Sequence, residues 1–338
     1  MRQKGLKMHI ERGTPFQGKK LDDLKAFLQS AGLEYEEGVY FSVCLYEKGE
    51  MLATGSLDGN VFKCIAVRED RQGEDLTAKI LTELRQEAIR RGQKHLFLFT
   101  KPGNLRMFRN FGFYSIASTP EALLMENRKN GARDYARSLA EECSGTVGTA
   151  VVNCNPFTLG HRYLIETASA RCDLLHLFVV TEDRSRFPAK DRMELVRAGT
   201  EDLPNVRVHE TGPYMISSVT FPTYFIKDKT RSQDIACRLD LEIFAGIFAK
   251  EMGITVRFVG TEPNCPVTSA YNRQMLSFLP TQGIRVEEIP RKEIDGVPIS
   301  ASRVRALIDQ GQIEKTAELV PHTTYQYLRK HYGKEKSE

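Results

Sequence analysis

The chain has 338 residues, 41% of them hydrophobic and 27% charged, which is ordinary for soluble protein and longer than one core usually organises, so two domains are expected. Forty-eight Lys and Arg against 44 Asp and Glu leave a net charge of only +4. That balance excludes a strongly basic nucleic-acid binder, yet it suits docking of a small acidic protein.

The opening "MRQKGLKMHIERGTPF" has charges but no apolar stretch of signal-peptide length, and no later run is long enough to cross a bilayer, so a cytoplasmic protein is expected. "GKKLDDLKAFLQSAG" reads as an amphipathic helix with Leu21, Leu24, Phe27 and Leu28 on one face. "VYFSVCLYEKGEMLATGSLDGNVFKCIAV" then reads as consecutive strands, with turns at Lys48-Gly49 and Asp58-Gly59-Asn60. A long helix, "DLTAKILTELRQEAIRRG", ends at Gly92, and "HLFLFT" follows as a strand before "NLRMFRNFGFYSI".

Antiparallel meander, helix, strand and a Phe-Gly-Phe turn, in that order, resemble the Gcn5-related N-acetyltransferase (GNAT) fold over residues 1–127. The resemblance implies that "REDRQGEDLTAK" cradles the pyrophosphate of a coenzyme A at a helix N-terminus. Two residues after Gly73, where that family has Gly or Ala, this chain has Asp75, whose carboxylate would face the phosphate. Acetyl transfer is therefore not expected, and binding of a thiol cofactor or a purely structural role both stay open. The polar, helix-forming residues 128–146 read as a bridging segment.

From residue 147 to 338 strand and helix alternate. Strands are expected at 148–153, 173–180, 206–210, 255–260 and 284–289, with helices at 161–170, 190–201, 232–252, 267–279 and 300–310. Such alternation predicts a Rossmann-like, doubly wound parallel sheet, an α/β domain behind the α+β one. Ligands of such sheets sit beyond the carboxyl ends of the strands, where strand order reverses. The first strand there is followed by "NCNPFTLGHRYLIETA". Pro156 restrains the loop, Gly160 lets backbone approach, and the free N–H groups of the next helix form an anion site. Asn153 and Asn155 flank it, Thr158 adds a hydroxyl, and His161 an imidazole donor.

A second motif, "ISASRVRALI", places Ser300 and Ser302 at a helix start and Arg303 and Arg305 in its first turn, where a cation opposes the helix dipole unless an anion is near. Between the motifs, Lys190 and Arg192 open a helix after Phe187-Pro188 as further cations for a triphosphate. "FVGTEPNCPVTSAYN" supplies Gly260 for close approach to adenosine and Glu262 for ribose or Mg²⁺. Thr268 and Asn272 complete that pocket; Tyr271 reads equally well as pocket wall or as packing. "SSVTFPTYFIKDK" fits no core element; its Thr220, Tyr224, Lys227 and Lys229 line an acetate pocket or carrier path, or else sit on a surface insertion. The seven cysteines show no CxxC pair and read as reduced thiols, although Cys154 and Cys265 adjoin candidate site loops.

Thr-x-Gly-His with Ile-Ser-x-Ser-x-x-Arg resembles the nucleotidylyltransferase superfamily, and Asn155, Thr158, His161, Ser300, Ser302 and Arg305 match it by position. With the GNAT-like segment in front, and with "TEDRSRFP", "SSVTFPTYFIKD" and "PISASRVR", the whole chain is similar to the citrate lyase ligase family. That resemblance implies ATP with Mg²⁺ held through ATP and no metal site of the protein alone. It implies acetate as the acid, and as acceptor the thiol of a phosphoribosyl-dephospho-coenzyme A group on the acyl carrier subunit of citrate lyase. An adenylyltransferase of the phosphopantetheine or NMN type is the alternative.

Overall fold

A computed structural model describes residues 8–72, 75–181, 185–215, 225, 229–262 and 265–333. The chain divides into two compact units, Met1–Asp134 with Ile216–Glu242, and Tyr135–Met215 with Ile243–Glu338.

The first unit is built on a seven-stranded sheet. β1 (His9–Gly13), β2 (Phe41–Glu47), β3 (Glu50–Asp58) and β4 (Val61–Val67) form the expected antiparallel meander, with helix α1 (Lys19–Ser30) between β1 and β2. Helix α2 (Leu76–Arg90) follows and ends before Gly92, whose φ of 78° continues the chain in the left-handed region. Its buried Leu76, Ile80, Leu84 and Ala88 recur every four residues and meet the meander. The approach is close: a Cβ on Gly55 of β3 would lie 2.5 Å from Ile80. β5 (Phe97–Thr100) returns parallel to β4, helix α3 (Leu105–Asn110) follows, and β6 (Tyr114–Ser118) and β7 (Leu123–Glu126) complete the order β1-β2-β3-β4-β5-β7-β6. The paired residues of β4 and β5 are Val61 with Phe97 and Phe62 with Leu98. Farther along, Ile65–Val67 and Phe99–Thr100 line a cleft of about 780 Å³ that Phe225 also lines. Phe225 is 7% exposed, and it and residues 229–242, which were expected in the second domain, group with the first unit. Helix α4 (Gly131–Leu139) occupies the expected bridging segment.

The second unit has an all-parallel five-stranded sheet. β8 (Val147–Val152), α5 (Leu159–Ser169), β9 (Leu174–Val179), α6 (Ala189–Ala198) and β10 (Val206–Glu210) form its first half. After α7 (Lys229–Ile243), a π-helical turn and α8 (Ala249–Met252), β11 (Val256–Gly260), α9 (Pro266–Phe278) and β12 (Arg285–Ile289) form the second. The order is β10-β9-β8-β11-β12, so the sequence reverses direction at β8 and the opening motif lies at the switch, as the alternation predicted. Leu175, Leu177 and Val179 of β9 bury one face against Ile165 of α5 and Val196 of α6. On the other parity of β9, fully buried His176 sets Nδ1 2.9 Å from His209 Nε2, and burial followed by the charge of His209 lowers its pKa to about 4. A small hairpin, β13 (Glu293–Ile294) and β14 (Val297–Pro298), leads into α10 (Ala301–Asp309), and α11 (His322–Tyr332) ends the described chain. Phe187, Ile299, Val304, Ile308, Leu319 and Leu328 form a separate core beneath the second motif. Among the described residues no helix is long and apolar enough to cross a membrane.

Candidate active site

At the start of α5 the Thr158 hydroxyl accepts the His161 N–H at 3.3 Å, and the Thr158 N–H donates to His161 Nδ1 at 3.1 Å. This reciprocal cap has a chemical consequence. A backbone N–H carries its proton along a fixed direction, so Nδ1 must present its lone pair and the ring proton must sit on Nε2. The Thr158 oxygen, 2.9 Å from Nδ1, reinforces that orientation. Burial, and after it the charge of Arg291, lowers the His161 pKa to about 4. At neutral pH the ring is therefore an uncharged Nε2–H donor of fixed direction. Of the first-turn N–H groups, that of Leu159 goes to Leu319 O at 2.9 Å and that of Arg162 to Thr158 O at 3.0 Å. Among the described residues the Gly160 N–H has no acceptor, so it and His161 Nε2 are the donors the cap leaves open.

The second motif meets the first directly. A Cβ on Gly160 would stand 3.0 Å from the Ile299 carbonyl oxygen, so glycine here lets the α10 segment close on α5. Ser300 caps α10 by accepting the Arg303 N–H at 3.2 Å, while Ser302 is exposed on its first turn. Arg305 Nη1 donates to the carbonyl of Asn155. Asn155 is thereby a junction, because its Oδ1 also accepts the Phe187 N–H at 3.1 Å. Pro156 follows it, and fully buried Phe157 lies nearly parallel to the His161 ring, 6.1 Å away between centroids.

At the carboxyl ends of β11 and β12, Glu262 pairs with Arg291 Nη2 and accepts the Cys265 N–H at 3.1 Å. Arg291 Nε donates to Thr261 O at 2.9 Å. Among the described residues a Cβ on Gly260 would meet nothing within 4 Å. Buried Asn272 donates to Gly260 O at 3.0 Å, and Tyr271 beside it on α9 is half-buried. Hydrogen bonds from the Thr268 hydroxyl and N–H lower the Cys265 thiol pKa. Cys154, in the opening loop, is fully buried and its thiol pKa is pushed up, which suits an inert packing residue; all seven cysteines are free. Among the described residues there is no cluster of three or more His, Cys, Asp or Glu able to hold a metal.

A family profile described as "Citrate lyase ligase C-terminal domain" matches residues 147–328, which span both motifs. The [Citrate [pro-3S]-lyase] ligase of Escherichia coli (strain K12) is 41% identical over 321 residues, 93% of this chain and 91% of that protein. The chain belongs to the citrate lyase ligase family. A second ligase of that name, from Haemophilus influenzae, is 40% identical over 96% of this chain and 99% of its own length. Among solved structures, an acyl-CoA N-acyltransferase from Pseudomonas aeruginosa covers 36% of this chain and 99% of its own, with 14% identity and a TM-score of 0.32.

As a citrate lyase ligase family member, the chain is an enzyme of the ligase class, and its candidate residues fall into groups. Thr158, His161, Gly160 and Arg305 come together where the two motifs meet, with Asn155 between them. Arg192 stands apart in kind. It is 0% exposed; Nη1 donates to Asn153 O at 2.9 Å and Asn153 Oδ1 at 2.8 Å, and Nε to Phe187 O at 3.0 Å. A cation aimed at a bound triphosphate was expected there, whereas this guanidinium braces the opening loop from below. Lys190 is 84% exposed and lies 3.9 Å from Glu194. Glu262, expected on ribose or Mg²⁺, has its carboxylate engaged by Arg291 and Cys265. Thr220, Tyr224 and Lys227 lie outside the described residues. Sequence reading missed Arg291, which sits just past the carboxyl end of β12, the edge of a parallel sheet where ligands bind.

Proposed function

We propose that this ligase activates acetate with ATP and delivers the acetyl group to the thiol of the phosphoribosyl-dephospho-coenzyme A group on the acyl carrier subunit of citrate lyase. An acetate oxygen attacks the α-phosphorus, the bond to the bridging oxygen of diphosphate breaks, and acetyl adenylate forms. The thiol sulfur then attacks the acetyl carbonyl; AMP leaves and the thiol proton passes to solvent. The nearly full-length likeness to ligases of that name supports the substrates. One observation supports the site: the neutral imidazole of His161 is locked by Thr158 at a helix start where, among the described residues, neither Nε2 nor the Gly160 N–H has a partner.

Charge accumulates on the α-phosphate oxygens in the first step, so fixed donors stabilise the transition state without a covalent nucleophile. In this proposal His161 and Gly160 N–H donate to phosphate oxygens, and Arg305 fixes the loop through Asn155. Lys190 reaches the triphosphate tail from solvent. Arg192 holds Asn153 and Phe187 in place without touching substrate. Gly260 leaves room for adenosine, Ser302 is available to phosphate, and Ser300 keeps α10 capped. Arg291, held by Glu262, adds positive charge near His161. Mg²⁺ bound to the triphosphate would neutralise part of its charge. The catalytic body is proposed as residues 147–338, after a GNAT-like segment 1–127 and the bridge 128–146. Thr220, Tyr224, Lys227 and Tyr271 remain the proposed acetate or carrier contacts.

The test is acetate-dependent exchange of diphosphate into ATP, followed by AMP release when the thiol form of the carrier subunit is added. Exchange that requires acetate, with AMP release that requires the carrier, supports the proposal. Diphosphate formed from ATP with phosphopantetheine or NMN, and no acetate, would replace it with the adenylyltransferase reading.

A further inference from the structure

From Ala88 to Pro120 the chain carries Arg90, Arg91, Lys94, Lys101, Arg106 and Arg109 and not one Asp or Glu, in a protein whose net charge is only +4. Arg90 and Arg91 share the single carboxylate of Glu87, at the end of α2. Lys101, Arg106 and Arg109 are exposed, and among the described residues none of them has an ion pair. Arg106 and Arg109 lie on α3 and Lys101 just ahead of it, and the helix is anchored by Phe108 at 3% exposure. Its outer side shows Leu105 at 40% and Met107 at 36% exposure. Lys101, Asn104 and Met107 also line the 780 Å³ cleft, so this face stands at the cleft's mouth.

A row of surface lysines and arginines is most often only a solvated face. Here the three cations have no ion pair among the described residues, no acid separates them in the sequence, and two large apolar side chains sit among them, although Glu69 lines the same cleft. Arginine and methionine around an apolar centre are the composition of a protein interface, whereas a nucleic-acid backbone would make no use of Leu105 and Met107. We infer that α3 with Lys101, Arg106 and Arg109 docks an acidic protein surface, that of the thiol-bearing carrier partner. The identity of that partner rests on the function proposed above. Long-range attraction brings it in, and Leu105 and Met107 then bury against it.

The test replaces all three cations, Lys101→Glu, Arg106→Glu and Arg109→Glu, in the full chain. Acetate-dependent ATP–diphosphate exchange, which needs no carrier, stays within about twofold of wild type. The KM for the thiol form of the carrier subunit rises at least about tenfold with kcat little changed, and the salt dependence of the wild-type KM between 50 and 300 mM flattens in the variant. If the reversed variant fails to fold, the corresponding triple Gln variant is read instead and shows a smaller rise in the same direction. An unchanged KM, or a wild-type KM indifferent to salt, overturns the inference. So does a variant that loses binding of a single-stranded oligonucleotide while its carrier KM is unaltered. Absence of exchange in the wild-type protein is a separate outcome, which defeats the proposed reaction; docking is then read from direct binding of the carrier subunit to the wild-type and reversed chains.

Discussion

The starts of α5 and α6 look alike in sequence, each a Pro-containing loop that delivers polar and basic residues to a helix N-terminus after a strand. They have opposite fates. At α5 the side chains satisfy one another, Thr158 with His161, and leave Nε2 and the Gly160 N–H without a partner among the described residues. At α6 the guanidinium of Arg192 turns inward and donates to the carbonyl of Asn153 in the α5 loop and to that of Phe187 just ahead of α6. Burying a guanidinium is costly unless its donors are used, so Arg192 is a strong structural tie and a poor ligand for substrate. A basic residue at a helix start is thus informative about phosphate only once the phase of the helix is known.

That contrast can be broken most severely from the structural side. Arg192→Met leaves the carbonyls of Asn153 and Phe187 without that donor, at about 1–3 kcal/mol each, and should lower the stability of the second unit by that order, read as a fall in thermal midpoint, with nucleotide binding lost as a consequence. A midpoint near that of wild type would mean the brace is not needed. His161→Ala should do the reverse, cutting the exchange rate about 10²–10³-fold with only a small shift in midpoint. Equal damage to stability and rate from both variants would erase the distinction between the two helix starts.

Acidity offers an intermediate test. His161 and His176 both titrate near pH 4 in the folded chain, against an ordinary value of 6.5. Between those pH values the unfolded chain takes up protons that the folded chain refuses. The stability from keeping these rings neutral is therefore fully present above pH 6.5 and is lost as the pH falls toward 4. The loss is up to about 1.4 kcal/mol per pH unit for each ring. Thermal midpoints measured at pH 7, 6 and 5 should fall accordingly; a flat series would contradict the burial assigned to both histidines. Thr158→Ala should cost about 1 kcal/mol through loss of the N-cap, together with a drop in exchange rate that follows from a freed His161 ring. Smallest of all, Lys190→Ala should change stability by less than about 0.5 kcal/mol and weaken ATP binding only modestly, in keeping with its exposed side chain.

Much of this architecture was readable in the residues. The five parallel strands lie within about a residue of their expected ends, because buried parallel strands are short apolar runs bounded by loops. β1 was missed because "HIERG" carries two charged residues and has no apolar alternation. β7 was missed because its four residues, "LLME", are buried on both sides and give no period to detect. α11 was missed because "HTTYQYLRKHY" packs through Leu328, Thr324 and ring edges where a leucine stripe would have signalled a helix. The junction of the two motifs was legible from Thr158, His161 and Arg305. The inward turn of Arg192 had a cue that went unread, since it lies three and four residues ahead of Leu195 and Val196, on the buried face of α6. Arg291 had only its place just past a strand end to mark it, because a lone Arg after Pro has no pattern.

In the proposed reaction the uncharged His161 ring, oriented by Thr158, donates through Nε2 to a nucleotide phosphate. A crystal structure of the full chain with a non-hydrolysable ATP analogue and Mg²⁺ tests it most directly. The expected result is a phosphate oxygen about 3 Å from His161 Nε2, the Gly160 N–H pointed at the same group, and Nδ1 still held by Thr158. A triphosphate bound away from the start of α5, or one facing Nδ1 with the Thr158 contact broken, would contradict it.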